Sequence, residues 1–468
     1  MNRLTRWTCC LAVAVSLLPV GAVCDEAPST AVPALKQAYL EPDFWIARLR
    51  QPDGIALDAG TLAHRNTALL HQDASMHDLG GLPATLGQAE VSQWMTVSRR
   101  PTVPLFDAQG HVVADSVLDG IVANVDPSAV PAVQPTRYAL AVRRASLRRF
   151  PTALRAFSST GDTDIDRFQE SALLPGTPVV IAHESRDRRW WFVISPGYAA
   201  WVEKTAIAQG SRSQVLGYAD QRRIRIVTGA AVRTTTTPEA PLVSNLQLDM
   251  GVRLPLAKLP AGASVNGQQS EASWPVVVPL RDASGSLVLQ PALIARSADS
   301  AAVPLALTRG NTIRQAFKFL GERYGWGDDY GAHDCSSFVS AVFSSMGVAL
   351  ARNTSDQARN PVFSRLHLDD SSDAQRRSAV DALQAGDLVY LPGHVMLVIG
   401  RIGHEPYVIH DIHGGNYIDA NGQLRQMALN GVAVTPLRPL RIDETRSFVD
   451  AVTDIVHMLD DGKRRPTP

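Results

Sequence analysis

The sequence predicts an α+β protein in which a β-rich upstream part precedes a C-terminal segment built from a helix and a sheet. Short apolar runs alternate with turn residues through much of residues 177–294, which is typical of antiparallel strands. Further along, the stretch "DCSSFVSAVFSSMGV" has helical periodicity. It is followed by two strand-like runs, "DLVYLPGHVMLVIG" and "YVIH". This order of elements predicts separate all-β and α+β domains.

Length and charge limit the kinds of partner. The chain has 468 residues, enough for several compact units. Lys plus Arg number 45 and Asp plus Glu number 45, so the zero net charge indicates no polyanionic partner. The chain also has no glycine-rich phosphate loop and no CxxC pair. We therefore expect no nucleic-acid partner and no cofactor.

The first 24 residues read as an export signal. Arg3 and Arg6 precede a short apolar run that ends in small residues, the order typical of a secretory signal peptide. We expect cleavage near Cys24 and a periplasmic or extracellular protein. A lipoprotein site at Cys24 is the weaker alternative, because leucine is not three residues before it. No later stretch reaches about 20 apolar residues, so we expect no membrane span.

A single thiol remains once the signal is removed. Cys9 and Cys10 leave with it, as does Cys24 if cleavage follows that residue, so that only Cys335 stays in the mature chain. A lone cysteine in an exported protein is an intermolecular disulfide partner, an inert buried residue or a reactive nucleophile. The local pattern has to distinguish among these three.

The sequence around Cys335 favours the nucleophile. Asp334 is a good N-cap and Gly347 a good residue just past a helix C-terminus. Cys335 then falls in the first helical turn, off the apolar stripe that begins at Phe338. Free backbone N–H groups and the helix dipole there favour a thiolate, so we expect a lowered thiol pKa.

A thiol nucleophile needs a base and a group that orients the base. His394 begins the second strand within "DLVYLPGHVMLVIG", after the Pro-Gly turn, and His410 and His413 lie on or just after "YVIH". A turn centred on Ile402 would place His394 opposite His410, whereas a centre between residues 403 and 404 would pair it with His413. Hairpin geometry alone leaves both pairings open.

Together these segments resemble the NlpC-type cell-wall cysteine peptidases, which have a papain-like α+β fold. The resemblance covers roughly residues 310–440 and rests on "YGWGDDYGAHDCSSFV", "GDLVYLPGHVMLVIG" and "YVIH". It implies that Cys335 is the nucleophile, His394 the general base and His410 the orienting residue. Tyr324 matches the family tyrosine near the oxyanion site. The chain departs from the family in having serine, not glycine, two residues after the cysteine.

The upstream β-rich stretches each resemble a bacterial SH3-like barrel, and the segment before them resembles an extended N-terminal clip of peptidases with two such barrels. This implies a papain-like C-terminal catalytic domain preceded by two all-β SH3-like barrels and the clip. The predicted ranges are signal peptide 1–24, clip 25–135, first barrel 136–215, second barrel 216–302 and peptidase domain 303–468.

The same resemblance implies the substrate. We expect hydrolysis of peptidoglycan stem peptides at the bond between γ-D-glutamate and a diamino acid, with preference for a free N-terminal L-alanine. Tyr198, on a Pro-Gly turn of the first barrel, is a candidate for binding the substrate amine, although packing at the barrel rim is an equal alternative. Asp334, Ser336 and Ser355 are candidates on the catalytic side.

Three alternatives stay open. A zinc site is a minor one, because the histidines and Cys335 lack a recognisable ligand spacing. A non-catalytic wall-binding protein with a degenerate domain is another, but it would be expected to lose the cysteine first. An amidase or acyltransferase on the same fold is the third.

Overall fold

The structure is a computed structural model that describes residues 32–460. The predicted signal peptide, residues 1–24, and the alternative lipidation site at Cys24 lie outside the described residues. Within residues 32–460, none of the helices combines the length and apolar character needed to cross a bilayer.

The N-terminal region consists mainly of short helices and packs against two different cores. Tyr39, Trp45 and Leu62 join a core formed mostly by the C-terminal domain, whereas Leu86 and Val91 join the core of the first β-unit. This region therefore packs against both the C-terminal domain and the first β-unit. Its elements are α1 Pro42–Ile46, α2 Ala59–Gln72, β1 Thr85–Gly87, α3 Gln88–Trp94, α4 Asp115–Val125 and β2 Val133–Pro135.

The first β-unit is a seven-stranded antiparallel sheet in the order β5-β4-β8-β7-β6-β3-β9. Its strands fall within the range predicted for the first barrel, and two buried clusters cover its two faces. The strands, and the helix that follows, are β3 Arg137–Ala141, β4 Ala145–Arg148, β5 Gln169–Leu173, β6 Pro178–Glu184, β7 Trp190–Ile194, β8 Ala199–Glu203, β9 Ile207–Gly210 and α5 Arg212–Ala219.

The second β-unit has smaller sheets around one buried cluster. A long hairpin, β16-β17, is its largest element. The strands are β10 Ile224–Val227, β11 Ala231–Arg233, β12 Gln247–Asp249, β13 Arg253–Pro255, β14 Ser264–Val265, β15 Gln268–Gln269, β16 Ser273–Arg281, β17 Leu287–Ala295 and β18 Ser300–Ala301.

The C-terminal domain is a six-stranded antiparallel sheet in the order β19-β26-β20-β21-β22-β25, with α7 packed on β21 and β22. A separate hairpin, β23-β24, extends from its end. The elements are α6 Arg309–Phe317, α7 Cys335–Ser344, α8 Thr354–Ala358, β19 Ser364–His367, α9 Asp373–Asp381, β20 Asp387–Leu391, β21 His394–Ile402, β22 Glu405–Ile412, β23 Gly415–Ile418, β24 Leu424–Met427, β25 Gly431–Pro436 and β26 Asp454–His457.

A turn at residues 326–331, just before α7, rests on the first β-unit. Gln169 donates through Nε2 to the carbonyl of Gly327 at 2.8 Å, and the indole of Trp326 donates to the Gln169 carbonyl at 3.2 Å. Gly327 has a φ of 60°, and a Cβ there would lie 3.0 Å from the Gln169 backbone. Glycine is needed because the two backbones approach so closely. The β-unit therefore helps to set the position of the segment that leads to Cys335.

The β21-β22 register differs from both predicted registers. Leu397 pairs with Ile409, and continuing that register would place His394 opposite Ile412. Both predicted pairings, of His394 with His410 and with His413, are therefore wrong as direct cross-strand pairs. His410 is instead the diagonal neighbour of His394 on the same face, a spacing that long side chains can bridge.

A bulge next to Gly400 explains part of the difference. The ladder shifts between Val398 and Gly400, and Gly400 has a φ of 154°. A Cβ on Gly400 would lie 2.9 Å from the ring of Trp45, so the close approach of the N-terminal region requires glycine here. A bulge adds one residue to one strand and so changes the register on its two sides.

Candidate active site

The helix α7 begins as the sequence predicts, which places Cys335 in its first turn. The Asp334 carboxylate accepts the Ser337 N–H at 2.9 Å, and the Ser337 hydroxyl accepts the Asp334 N–H at 2.9 Å, which completes a capping box. The N-cap prediction is confirmed. The expectation that Cys335 lies off the buried face is wrong, because it is only 6% exposed and belongs to the core cluster of Phe338.

The thiol is held against the start of β21. Its Sγ donates to the Gly393 carbonyl at 3.9 Å, immediately before His394. Burial raises the pKa of the Cys335 thiol, and the nearby Asp334 carboxylate raises it further. The expected lowering of the thiol pKa is therefore wrong, since desolvation and a neighbouring negative charge outweigh the helix N-terminus. Cys335 is a neutral thiol in this state.

The two histidines form a buried hydrogen-bonded chain. Nε2 of His394 lies 2.9 Å from Nδ1 of His410, and Nε2 of His410 lies 3.0 Å from the Thr435 hydroxyl. If His394 donates from Nε2, His410 accepts at Nδ1 and donates from Nε2 to Thr435. This arrangement leaves Nδ1 of His394 unprotonated and free to accept a proton.

Both imidazoles are neutral at physiological pH. His394 keeps part of its surface exposed, yet the protein atoms around its ring lower its pKa to about 4. Burial lowers the pKa of His410 well below its usual range, and His394 beside it adds to that effect. The Cys335 thiol and both imidazoles are therefore all neutral in this state.

His413 occupies a different place from His410. Its side chain is 41% exposed, lies 3.5 Å from Asp164 of the first β-unit and packs edge-on against the ring of Tyr324. Tyr324 is itself buried, and burial raises the pKa of its hydroxyl, with the nearby Cys335 adding to the shift. Tyr324 is thus a neutral phenol close to the thiol.

Asp334 is already occupied by an arginine that sequence reasoning missed. Arg352 donates from Nη2 to one Asp334 oxygen at 2.8 Å and from Nη1 to the Ser336 hydroxyl at 2.8 Å. It also reaches the first β-unit, where it donates from Nε to Ser171 at 2.7 Å. Burial alone would raise the pKa of Asp334, but the Arg352 guanidinium keeps that pKa lowered. Ser336 therefore lies in an ion-pair network and is not freely exposed.

The Pro-Gly turn carrying Tyr198 faces this network. The Tyr198 hydroxyl donates to a Glu170 carboxylate oxygen at 2.6 Å, and a Cβ on Gly197 would lie 3.9 Å from the Cβ of Arg352. Burial raises the pKa of Glu170, against the effect of Tyr198 and the nearby arginines. Glu170 was not predicted, because only the fold brings this carboxylate beside Arg352.

Ser355 is not brought into the same cluster. It is exposed on the short helix α8, and no hydrogen bond among residues 32–460 joins it to Asp334, Ser336 or Tyr198. Because successive helical positions point in different directions, a residue near Arg352 in sequence need not share its environment.

One potential metal-binding group occurs among the described residues, and it differs from the residues considered for the zinc alternative. It joins Asp162, Asp164 and His413 and contains neither Cys335 nor His394. Asp164 already forms an ion pair with Arg323 and accepts a hydrogen bond from Asn430 at 2.8 Å. Among residues 32–460, Cys335 and the histidines of the zinc alternative do not form such a group.

A buried carboxyl without partners lies on the α7 side of the sheet. Neither carboxylate oxygen of Asp411 has a hydrogen-bond partner among the described residues. Burial raises the pKa of Asp411 to about 9, and the nearby acids Glu322, Asp334 and Asp328 contribute. Asp411 is therefore a neutral carboxylic acid at pH 7.

The fold and this geometry agree with two family profiles. The SH3 domain profile of the SH3b1 type matches residues 155–203, and the NlpC/P60 family profile matches residues 321–434, which contain the thiol and both histidines. The chain carries an NlpC/P60 family domain. It follows an SH3b domain, so the expected family resemblance is confirmed.

Part of this chain is similar in sequence to a known protein. A dipeptidyl-peptidase 6 from Lysinibacillus sphaericus is 26% identical over 114 residues, 24% of this chain. That match spans 36% of the relative, so the chain covers about a third of its length.

Two solved structures are similar to this chain over different shares of its length. An NlpC/P60 endopeptidase from Photobacterium damselae subsp. piscicida is 18% identical with a TM-score of 0.71, covering 89% of this chain and 97% of its own. An NlpC/P60 family protein from Bacillus cereus ATCC 10987 is 17% identical with a TM-score of 0.47, covering 69% and 99%. The first of these shows that the fold is shared well beyond the NlpC/P60 domain.

Proposed function

We propose that this protein is an exported cysteine endopeptidase that cuts peptidoglycan stem peptides between γ-D-glutamate and a diamino acid. The observation that carries the proposal is the hydrogen-bonded pair His394–His410, in which His394 directly follows Gly393, the residue whose carbonyl accepts a hydrogen bond from the buried thiol of Cys335. A thiol, a base and a group orienting that base are the parts that nucleophilic acyl transfer needs. The NlpC/P60 domain makes peptidoglycan the expected substrate class.

The neutral starting state defines the first step. As Cys335 Sγ attacks the γ-carbonyl carbon, its proton passes to Nδ1 of His394, and the hydrogen bond to His410 orients the resulting imidazolium. The neutral phenol of Tyr324, whose pKa is raised by burial and by Cys335, is our candidate donor to the developing oxyanion. The imidazolium then protonates the leaving amine as the C–N bond breaks, which leaves a thioester on Cys335.

Hydrolysis of the thioester completes the cycle. With the amine gone, neutral His394 takes a proton from water as the water oxygen attacks the thioester carbonyl. Collapse of the intermediate breaks the C–S bond and releases the carboxylic acid, and the sulfur recovers its proton. No cofactor takes part in this sequence.

The acyl side of the substrate would lie against the first β-unit. Both Asp334 oxygens are engaged by Arg352, so Asp334 maintains the wall and is not the group that meets a substrate ammonium. Glu170 is the better candidate, because Tyr198 is the one side chain bonded to its carboxylate among the described residues. A half-buried carboxylate of this kind is stabilised by an incoming ammonium ion. Tyr198 would then hold Glu170 in place.

The test of this proposal uses one stem peptide in two forms. L-Ala-γ-D-Glu-diaminopimelate and its N-acetylated copy are incubated with the purified protein, and the products are identified by mass spectrometry. We expect the free peptide to give L-Ala-D-Glu plus diaminopimelate and the acetylated peptide to be cut at least about tenfold more slowly, because a buried carboxylate would stay unpaired. Equal cleavage of both would contradict the amine site, and cleavage at another bond would contradict the proposed activity.

A further inference from the structure

A cavity that His394 lines has an unusual charge composition. Its volume is about 470 Å³, and its walls include Tyr324, His394, Asn416 and Arg446. Among the described residues no aspartate or glutamate lines it, and Arg446 is its one arginine or lysine. The cavity therefore presents a fixed positive charge without a matching negative one.

The guanidinium of Arg446 has no partner of opposite charge among the described residues. Its guanidinium is exposed and makes no ion pair or hydrogen bond within residues 32–460. By contrast, Arg425 on the neighbouring hairpin forms an ion pair with Asp419 at 2.7 Å. An unpaired guanidinium at the mouth of a cavity is suited to bind a carboxylate.

The loop that carries Arg446 is held in a defined conformation. Arg441 donates from Nη2 to the Glu444 carbonyl at 2.7 Å, and Asp443 accepts the Arg446 N–H at 2.8 Å. The Asn416 amide donates to the Ile442 carbonyl at 3.0 Å and so ties the loop to β23. The backbone position of Arg446 is therefore fixed, which removes part of the entropic cost of binding a ligand.

The position of the cavity assigns it to the leaving-group side. His394, which protonates the departing amine, lies in its wall, whereas Tyr198, Glu170 and Arg352 on the acyl side do not. If His394 protonates the departing amine, the residue that carries this amine would occupy the cavity, whose wall also contains Arg446.

We propose that Arg446 binds the side-chain carboxylate of the leaving residue and so selects diaminopimelate over lysine. This inference rests on the proposed function. Diaminopimelate and lysine share the attacked amine and the backbone carboxyl, but diaminopimelate alone has a second carboxylate at the end of its side chain. Lysine ends in the same ammonium without the carboxylate, so its side chain would meet the guanidinium with no attraction to offset the like-charge repulsion.

The test compares L-Ala-γ-D-Glu-meso-diaminopimelate with L-Ala-γ-D-Glu-L-Lys. For the purified wild-type protein we expect kcat/KM to favour the diaminopimelate peptide by about tenfold or more, as for a charge-assisted hydrogen bond. Arg446→Ala should bring the ratio close to one, mainly by slowing the diaminopimelate peptide, and Arg446→Lys should keep part of it. Arg425→Ala, which removes an equal charge from the adjacent hairpin, should leave the ratio unchanged.

The possible outcomes distinguish the proposed role of Arg446 from the proposed peptidase activity. Cleavage of both peptides with the same ratio in wild type and Arg446→Ala would overturn the role of Arg446 and leave the peptidase intact. Equal losses on both peptides would also overturn it, because they would place Arg446 on the shared backbone carboxylate. If the wild-type protein cuts neither peptide, the proposed function fails and this inference fails with it.

Discussion

At the scale of single residues, the site combines groups whose charges are suppressed by burial. Cys335, His394 and His410 are all neutral in the described state, since burial shifts the pKa of each toward its uncharged form. A neutral thiol and a neutral imidazole can exchange a proton during attack without first forming an ion pair. The resting state thus differs from the preformed thiolate that the helix N-terminus suggested.

The lowered pKa of His394 predicts the acid side of the pH profile. The free enzyme needs unprotonated His394, whose pKa is about 4, so kcat/KM should hold steady from neutral pH down to near pH 5 and fall around pH 4. Initial rates on a stem peptide across this range measure it. An acid limb near 6.5, the ordinary value for histidine, would contradict the buried neutral base.

The raised pKa of Asp411 predicts a pH-dependent loss of stability. This carboxyl has a pKa of about 9 when folded and about 4 when unfolded, so the folded chain holds its proton more tightly between these values. Its contribution to the free energy of unfolding is full below about pH 4 and is lost as pH rises toward 9, by at most about 1.4 kcal/mol per pH unit.

Asp411→Asn removes this titration and keeps the shape of the side chain. The melting temperature of the variant minus that of the wild type should be larger at pH 8 than at pH 5. Calorimetry at matched ionic strength measures this difference. A difference in melting temperature that stays constant between the two pH values would show that Asp411 does not titrate as the structure indicates.

At the scale of elements, the hairpin β21-β22 decides which histidine orients the base. Its register places His410 diagonally from His394 and within hydrogen-bond distance, whereas His413 lies beyond the end of β22 next to Tyr324. His410→Ala should therefore lower kcat by about 100-fold or more, because His394 loses the group that fixes its tautomer.

His413→Ala is the matched comparison. His413 lines the cavity but does not contact His394 by a hydrogen bond among the described residues, so its loss should change KM more than kcat. Steady-state kinetics on one stem peptide distinguish the two variants. A large fall in kcat for His413→Ala, with His410→Ala nearly normal, would mean that the hairpin register is wrong.

Sequence periodicity predicted some of these elements well and missed specific contacts. The Asp334 cap, the first-turn position of Cys335 and the strand that begins at His394 all follow from local patterns. The register prediction failed because of the bulge beside Gly400, a residue that lies against Trp45 from a distant part of the chain. Local patterns do not contain such contacts.

The site residues that the sequence analysis missed differ in how strong a signal the sequence carried for them. Thr435 is the one polar side chain in the apolar run "GVAVTP", and a buried polar residue in a strand is a signal that could have been noticed. Arg352 and Glu170 had no comparable signal, because their environment combines the NlpC/P60 domain with the first β-unit. The thiol pKa was mispredicted for the same reason, since burial by the rest of the fold decides it.

At the scale of the whole molecule, the N-terminal region and the first β-unit both stabilise the position of the NlpC/P60 domain. Trp45 packs against Tyr407 with ring centroids 5.2 Å apart, and Arg155 forms an ion pair with Asp329 at 2.7 Å beside the site. We propose that the N-terminal region acts as a clip and that the second β-unit is a further SH3-like barrel. The substrate site would then be formed by several units of the chain together and not by the NlpC/P60 domain alone.

The central claim is that Cys335 is the nucleophile, and one measurement tests it most directly. Wild-type protein and Cys335→Ala are incubated with L-Ala-γ-D-Glu-meso-diaminopimelate at equal concentrations, after calorimetry shows that both unfold cooperatively at similar temperatures. The thiol is small and the substitution leaves the rest of the α7 core in place, so the fold should persist. We predict that mass spectrometry finds L-Ala-D-Glu with the wild-type protein and none with the variant. Release of this dipeptide by folded Cys335→Ala at a rate near wild type would contradict the account.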